Sequence, residues 1–223
     1  MHNVNWRFIS IHLNNRPATL NFKPMSIRSS HGIAARPART AVKVMVAALA
    51  GPDAPLVATP AELPRWRALT PLALWSTVSV RDAGPDEVLH GVAAELVRQG
   101  VGAPQLILLA EGKAARTTLE LVLQGALDCA GLLAIALPCA ALPFRIVPTA
   151  AAIRLVVQRG ERGDVPADLI TALRAADIDA RITSLDPTVA RNARTAASAA
   201  ESFVLELVAN ASRQSLHRAR YGV

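Results

Sequence analysis

The sequence predicts an α/β fold: a mostly parallel sheet with helices on both faces. Three observations carry this expectation. Short, nearly continuous apolar runs alternate with helix-period segments along the chain. The runs lack the polar alternation of a half-solvated strand, as strands covered on both faces do. Each run is followed by a segment long enough for a crossover helix, the connection that parallel pairing needs.

The elements follow in order. Residues 42–49 (VKVMVAAL) read as a strand, stopped by Gly51 and Pro52. A Pro-punctuated stretch leads to a second strand, 75–80 (WSTVSV). Residues 85–98 open with Pro85, carry Asp86 and Glu87 in the first turn and repeat apolar residues at Val88, Val92 and Leu96. Pro at a first helical position and acids near the positive helix end are N-terminal signals, and the four-residue recurrence is an amphipathic stripe. Strand 105–110 (QLILLA) runs directly into helix 113–123; strand 131–137 (GLLAIAL) ends at Pro138. After a Pro-rich connector, strand 152–158, helix 167–176, strand 179–183 and an Ala-rich helix, 194–212, complete the set.

Composition narrows the class. The chain has 223 residues, 52% hydrophobic and 18% charged, which suits one α/β domain and not a disordered chain. The formal charge of +7 is uneven. Residues 1–43 hold seven basic side chains and no Asp or Glu, leaving 17 basic against 17 acidic in the remainder. A neutral body with a basic tail does not form a phosphate-tracking surface, so nucleic acid is not an expected partner. The expected organisation is a basic, disordered extension over 1–40, one domain over 41–214 and a short basic end over 215–223. For the extension a start codon assigned too early, with Met25 as the internal start, and a transit-type peptide stay open.

Cys129 and Cys139 show neither metal nor redox spacing, and no metal site or other cofactor is expected. The longest apolar run, 130–144, is interrupted by Pro138 and Pro143 and falls short of a membrane span. A reducing cytoplasm is the expected location.

In an open α/β sheet, function resides in the turns leaving the carboxyl ends of the strands. The segment ILLAEGKAARTTLELVL, 107–123, resembles the strand–elbow–helix of phospholipase/carboxylesterase-type α/β hydrolases, the group containing acyl-protein thioesterases. In that family a G-x-S-x-G turn presents the nucleophilic Ser at a helix N-terminus. On this match Gly112 stands at the Ser position, with Ala110 and Ala114 in place of the flanking glycines. VKVMVAALAGPDAP resembles the strand ending in an HG pair near the oxyanion hole; Ala50 replaces the His and Gly51 remains. RWRALTPLALWSTVSV, with Trp75, resembles the family's Trp-Phe segment, and IRLVVQRGERGDVPADL its acid-bearing loop. The acid position falls on Gly163 or on Asp164, depending on a one-residue gap.

The resemblance implies a three-layer hydrolase-like sandwich over about residues 41–213, with a vestigial triad at Gly112 and Gly163 or Asp164. The loop that holds the family's His is 184–193 here (SLDPTVARNA) and contains none. His2, His12 and His31 lie in the tail, His90 within a helix, and His217 beyond the last helix, in an end expected to fray. Without Oγ and without a base there is no activated nucleophile. The expected role is a non-catalytic binding or scaffold protein, holding a small acyl or anionic ligand at Ala50, Gly51, Gly112 and Lys113, or a protein partner. The alternative is a weak carboxylesterase or thioesterase with a relocated nucleophile such as Ser184, near Asp186. A chain with no present role is a third reading. Glu111 and Lys113 are expected as two solvated loop residues, with a charged mouth at the elbow as the other reading.

Overall fold

The chain was described from a computed structural model, which covers residues 43–52, 54–58, 62–137, 144–158, 167–185 and 189–221. The expected extension (1–40), the candidate acid positions Gly163 and Asp164, Cys139 and Asp186 lie outside these residues.

Strand β1 (Val44–Ala50) is followed by two helices, α1 (Pro55–Ala58) and α2 (Glu62–Leu69), in the Pro-punctuated stretch. Then come β2 (Ala73–Ser79), α3 (Pro85–Gln99), β3 (Leu106–Glu111), α4 (Gly112–Leu123) and β4 (Gly131–Ile135). β5 (Ala152–Gln158), α5 (Ala167–Ala175), β6 (Ala180–Leu185) and α6 (Val189–Tyr221) complete the order. All pairings are parallel, in the order β2-β1-β3-β4-β5-β6. The expected parallel sheet with helices on both faces is present.

Side-chain alternation divides the interior into two layers. In β3, Leu106, Leu108 and Ala110 join Val88 and Val92 of α3, Leu119 of α4 and Leu173 of α5. Ile107 and Leu109 face the other way, into the layer with Val57 of α1, Trp66 of α2 and Ala200, Val204 and Leu207 of α6. Both faces are dry, which is why the strands read as continuous apolar runs. Gly91, in the middle of α3, is set by close approach: a Cβ there would meet Val78 Cγ1 at 2.5 Å.

Two boundaries depart from expectation. α1 and α2 are helices that the prolines conceal in the sequence. α6 runs to Tyr221, so His217 and residues 215–221 continue the helix and do not form a separate frayed end. Ser215 is buried and extends the packed stripe of Ala196, Ala200, Val204, Leu207 and Ala211 by one more turn.

Two ionic groups tie helices to the sheet. Arg154 of β5 is fully buried on the α6 face, where Asp179 (3.0 Å) and Glu206 of α6 (2.8 Å) hold its Nη2. Nη1 donates to the Ile153 and Asp179 carbonyls at 2.9 and 3.1 Å. Replacing Arg154 by Ala is expected to cost about 3–5 kcal/mol in denaturant unfolding, the range for breaking a buried pair, and Arg154→Met less, because it refills the volume.

Glu95 of α3 is buried beside β2 and accepts hydrogen bonds from Arg98 (2.6 and 2.8 Å) and Gln99 (2.9 Å). The Arg98 hydrogen bond, opposed by burial and helped by Ser76 and Gln99, holds its carboxyl down to about 2. A depressed folded pKa gives stability that is complete above the ordinary value of 4.5 and is lost as pH falls toward 2. The Tm gap between wild type and Glu95→Gln is therefore expected to be constant near neutrality and to close between about pH 5 and 2.

Candidate functional site

The chain leaves β1 toward β2, on one side, and returns to β3 on the other. The strand order thus reverses between β1 and β3, and their carboxyl ends form the crevice where open α/β sheets place ligands. Leu49 pairs with Ala110, so Ala50 and Gly51 leave the sheet beside Glu111 and Gly112. The structure brings together the four positions singled out from the sequence: Ala50, Gly51, Gly112 and, exposed in the first turn of α4, Lys113.

β3 ends at Glu111 and α4 begins at Gly112 with no residue between them. Gly112 makes this junction in the left-handed region, with φ +59°. Glycine meets this at no steric cost, whereas another residue would lose about 1–2 kcal/mol. The turn between strand and helix is therefore made by a residue with no side chain.

Glu111 corrects the expectation of a solvated loop residue. It is the last residue of β3, only 4% exposed, and its alternation with Ile107 and Leu109 turns it toward α1. Its Oε2 accepts hydrogen bonds from the backbone N–H of Leu56 (2.8 Å) and of Val57 (3.2 Å). Burial pushes its carboxyl above the usual carboxylate range, while the N–H groups of Val57 and Leu56 pull it partly back. Sequence reasoning missed this role, although strict alternation along LILLAE places position 111 on a buried face.

Other candidates lie apart from the crevice. Ser184 is near the end of β6, three strands from β3 and so about 14 Å away at ~4.8 Å per strand. There it lines a groove of ≈ 210 Å³ with Ile170, Leu173, Arg174, Ala180 and Ile182. His90 is exposed on α3, its Nδ1 2.7 Å from the Asp86 carbonyl oxygen. Trp75 donates its indole N–H to Thr70 Oγ1 at 2.9 Å. Cys129 is buried; burial, with Asp128 nearby, pushes its thiol up to about 12. Among the described residues no cluster of His, Cys, Asp and Glu is placed to hold a metal, and no helix is long and apolar enough to cross a membrane.

No family model matches the chain, and no curated protein matches it either. Solved structures do. The crystal structure of esterase PE8 superposes with a TM-score of 0.54 at 16% identity, covering 75% of this chain and 94% of the esterase. A variant of Arabidopsis thaliana SOBER1 gives 0.52 at 11% identity, covering 74% and 99%. The fold is α/β-hydrolase-like. Within that hydrolase-like fold, the β3–α4 junction is the element that resembles the nucleophile elbow in sequence, and Gly112 is its apex.

The raised Glu111 pKa has a definite sign. Its fold holds a proton more tightly than the unfolded chain, so the stability it adds is present below about pH 4.5 and is lost as pH rises through the folded value. Glu111→Gln keeps an acceptor for Leu56 and Val57 and removes the charge. Its Tm is expected to rise relative to wild type as pH increases from about 4 to 7; a gap that stays flat or reverses would contradict the assignment.

Proposed function

We propose that this protein is a hydrolase-fold chain without Ser–His–Asp catalysis, acting as a binding or scaffold protein. The observation that carries this reading is Gly112. It has the left-handed backbone of an elbow apex, directly between strand and helix, and has no Oγ to attack an acyl carbon. Losing either Ser or His in a comparable triad enzyme costs about 10⁶-fold in kcat. The second loss is in the sequence: the loop over 184–193 contains no His.

Ala50, Gly51, Gly112 and Lys113 form the binding position in this reading. Of the two ligand classes, a small uncharged acyl group fits better than an anion. A buried carboxyl group adjoins Gly112, and like charges about 5 Å apart at an effective dielectric of about 20 repel by about 3 kcal/mol. The same charge opposes an oxyanion developing at the elbow, where a hydrolase needs the opposite field. A protein partner is the other occupant compatible with a scaffold role.

Fluorophosphonate labelling read by intact mass, beside a short-chain p-nitrophenyl ester assay, tests the reading. Neither an adduct nor turnover above a heat-denatured control is expected. A stoichiometric adduct would overturn it, and mapping to Ser184 would establish the relocated-nucleophile esterase instead. Gly112→Ser restores the hydroxyl but no base, and is expected to lose about 1–2 kcal/mol of stability and remain unlabelled. Labelling of that variant would show that a working base exists.

A further inference from the structure

The crevice between the carboxyl ends of β1 and β3 is covered from the α6 side by α1, which packs on both strands. α1 is four residues long, Pro55–Ala58, far below the length at which a helix sustains itself. What holds it is therefore tertiary. Ala54 and Val57 are buried in the layer they share with Trp66. Among the described residues one side-chain atom supplies the polar hold on α1: Glu111 Oε2 takes the N–H groups of two successive residues, Leu56 and Val57. Those donors belong to the first turn of α1, where no intrahelical acceptor exists for them.

We infer that Glu111 is a latch: its carboxylate clamps α1 over the β1–β3 crevice, and the crevice opens when that one oxygen releases Leu56 and Val57. The geometry suits such a device. The clamp joins the residue before the elbow apex to a segment 54 and 55 positions away in sequence. A movement of Glu111 thus changes the cover of the crevice and the turn at Gly112 together. Among the described residues α1 is a four-residue helix held by the Glu111 hydrogen bonds and the packing of Val57, whereas β3 is paired on both sides by β1 and β4, so α1 is the part that moves. The inference stands whether or not the crevice holds an acyl ligand, since it concerns only what keeps the cover in place.

Amide hydrogen exchange of the full chain, read by mass spectrometry at pH 7, tests it on wild type, Glu111→Ala, Glu111→Asp and Glu111→Gln. Glu111→Ala removes the acceptor and is expected to speed exchange at Leu56 and Val57 at least tenfold, with β1, β3 and α4 changing less than twofold. Glu111→Asp keeps the charge but withdraws it by one methylene, and is expected to release the same two amides. Glu111→Gln retains an acceptor at the same reach and is expected to stay within threefold of wild type. Should the Ala variant fail to fold, the contrast between Asp and Gln decides. Unchanged exchange at Leu56 and Val57 in the Asp variant would overturn the latch, leaving the packing of Ala54 and Val57 as the hold. Equal acceleration through β1, β3 and α4 would overturn it too, making Glu111 a strut of the whole sheet.

Discussion

The direct passage from β3 into α4 is the constraint on which the crevice depends. Here the strand becomes a helix with no intervening residue, and the backbone turns in the left-handed region that favours glycine. Gly112 supplies that turn. Its position fixes the start of α4 against the sheet and the place of Lys113. It also leaves Glu111 as the last strand residue, and alternation then turns that carboxyl group inward and not into solvent. A longer connection would relax all of these at once.

Glu87 in the first turn of α3 and Glu111 at the end of β3 show how burial decides the outcome of one local motif. Glu87 accepts the N–H groups of Arg81 and Asp82, at 2.7 and 3.1 Å, much as Glu111 accepts those of Leu56 and Val57. Glu87 sits in a solvated position, where the Arg81 hydrogen bond dominates, and its pKa is lowered. At Glu111 desolvation outweighs the Val57 and Leu56 donors, and its pKa is raised. Backbone donors hold a carboxylate in place in either setting. They do not repay its removal from water.

Much of the fold was legible because parallel strands covered on both faces announce themselves as apolar runs. β1, β3, β4 and β5 are of this kind, and α3 carries its own start signals at Pro85 and Asp86. The elements that stayed hidden were those whose stability is tertiary. α1 and α2 contain Pro55 and Pro64, and α1 rests on Glu111 and on its packing, which local propensity does not report. The end of α6 was hidden for a related reason: Ser215 is polar, so the buried stripe does not continue visibly past Ala211. At the site, the junction at Gly112 and its neighbours Ala50, Gly51 and Lys113 were singled out through the family resemblance of the segments that carry them. The buried state of Glu111 was not, because a charged residue beside glycine reads as a turn.

Arg154 and Glu111 share a face of the sheet, and the difference between them bears on what the crevice is for. Arg154 is compensated by two carboxylates and two carbonyls, so its charge is neutralised where it lies and serves to join β5, β6 and α6. Among the described residues Glu111 meets backbone N–H groups, which orient it without cancelling its charge. A purely structural group at this depth gains from a neutralising partner, as Arg154 does. The Glu111 carboxyl group at the topological switch point is instead held by two hydrogen bonds to a four-residue helix. On the latch reading, the fit of the α1 cover then depends on one side chain, and binding governed by that cover is the role we propose for the crevice.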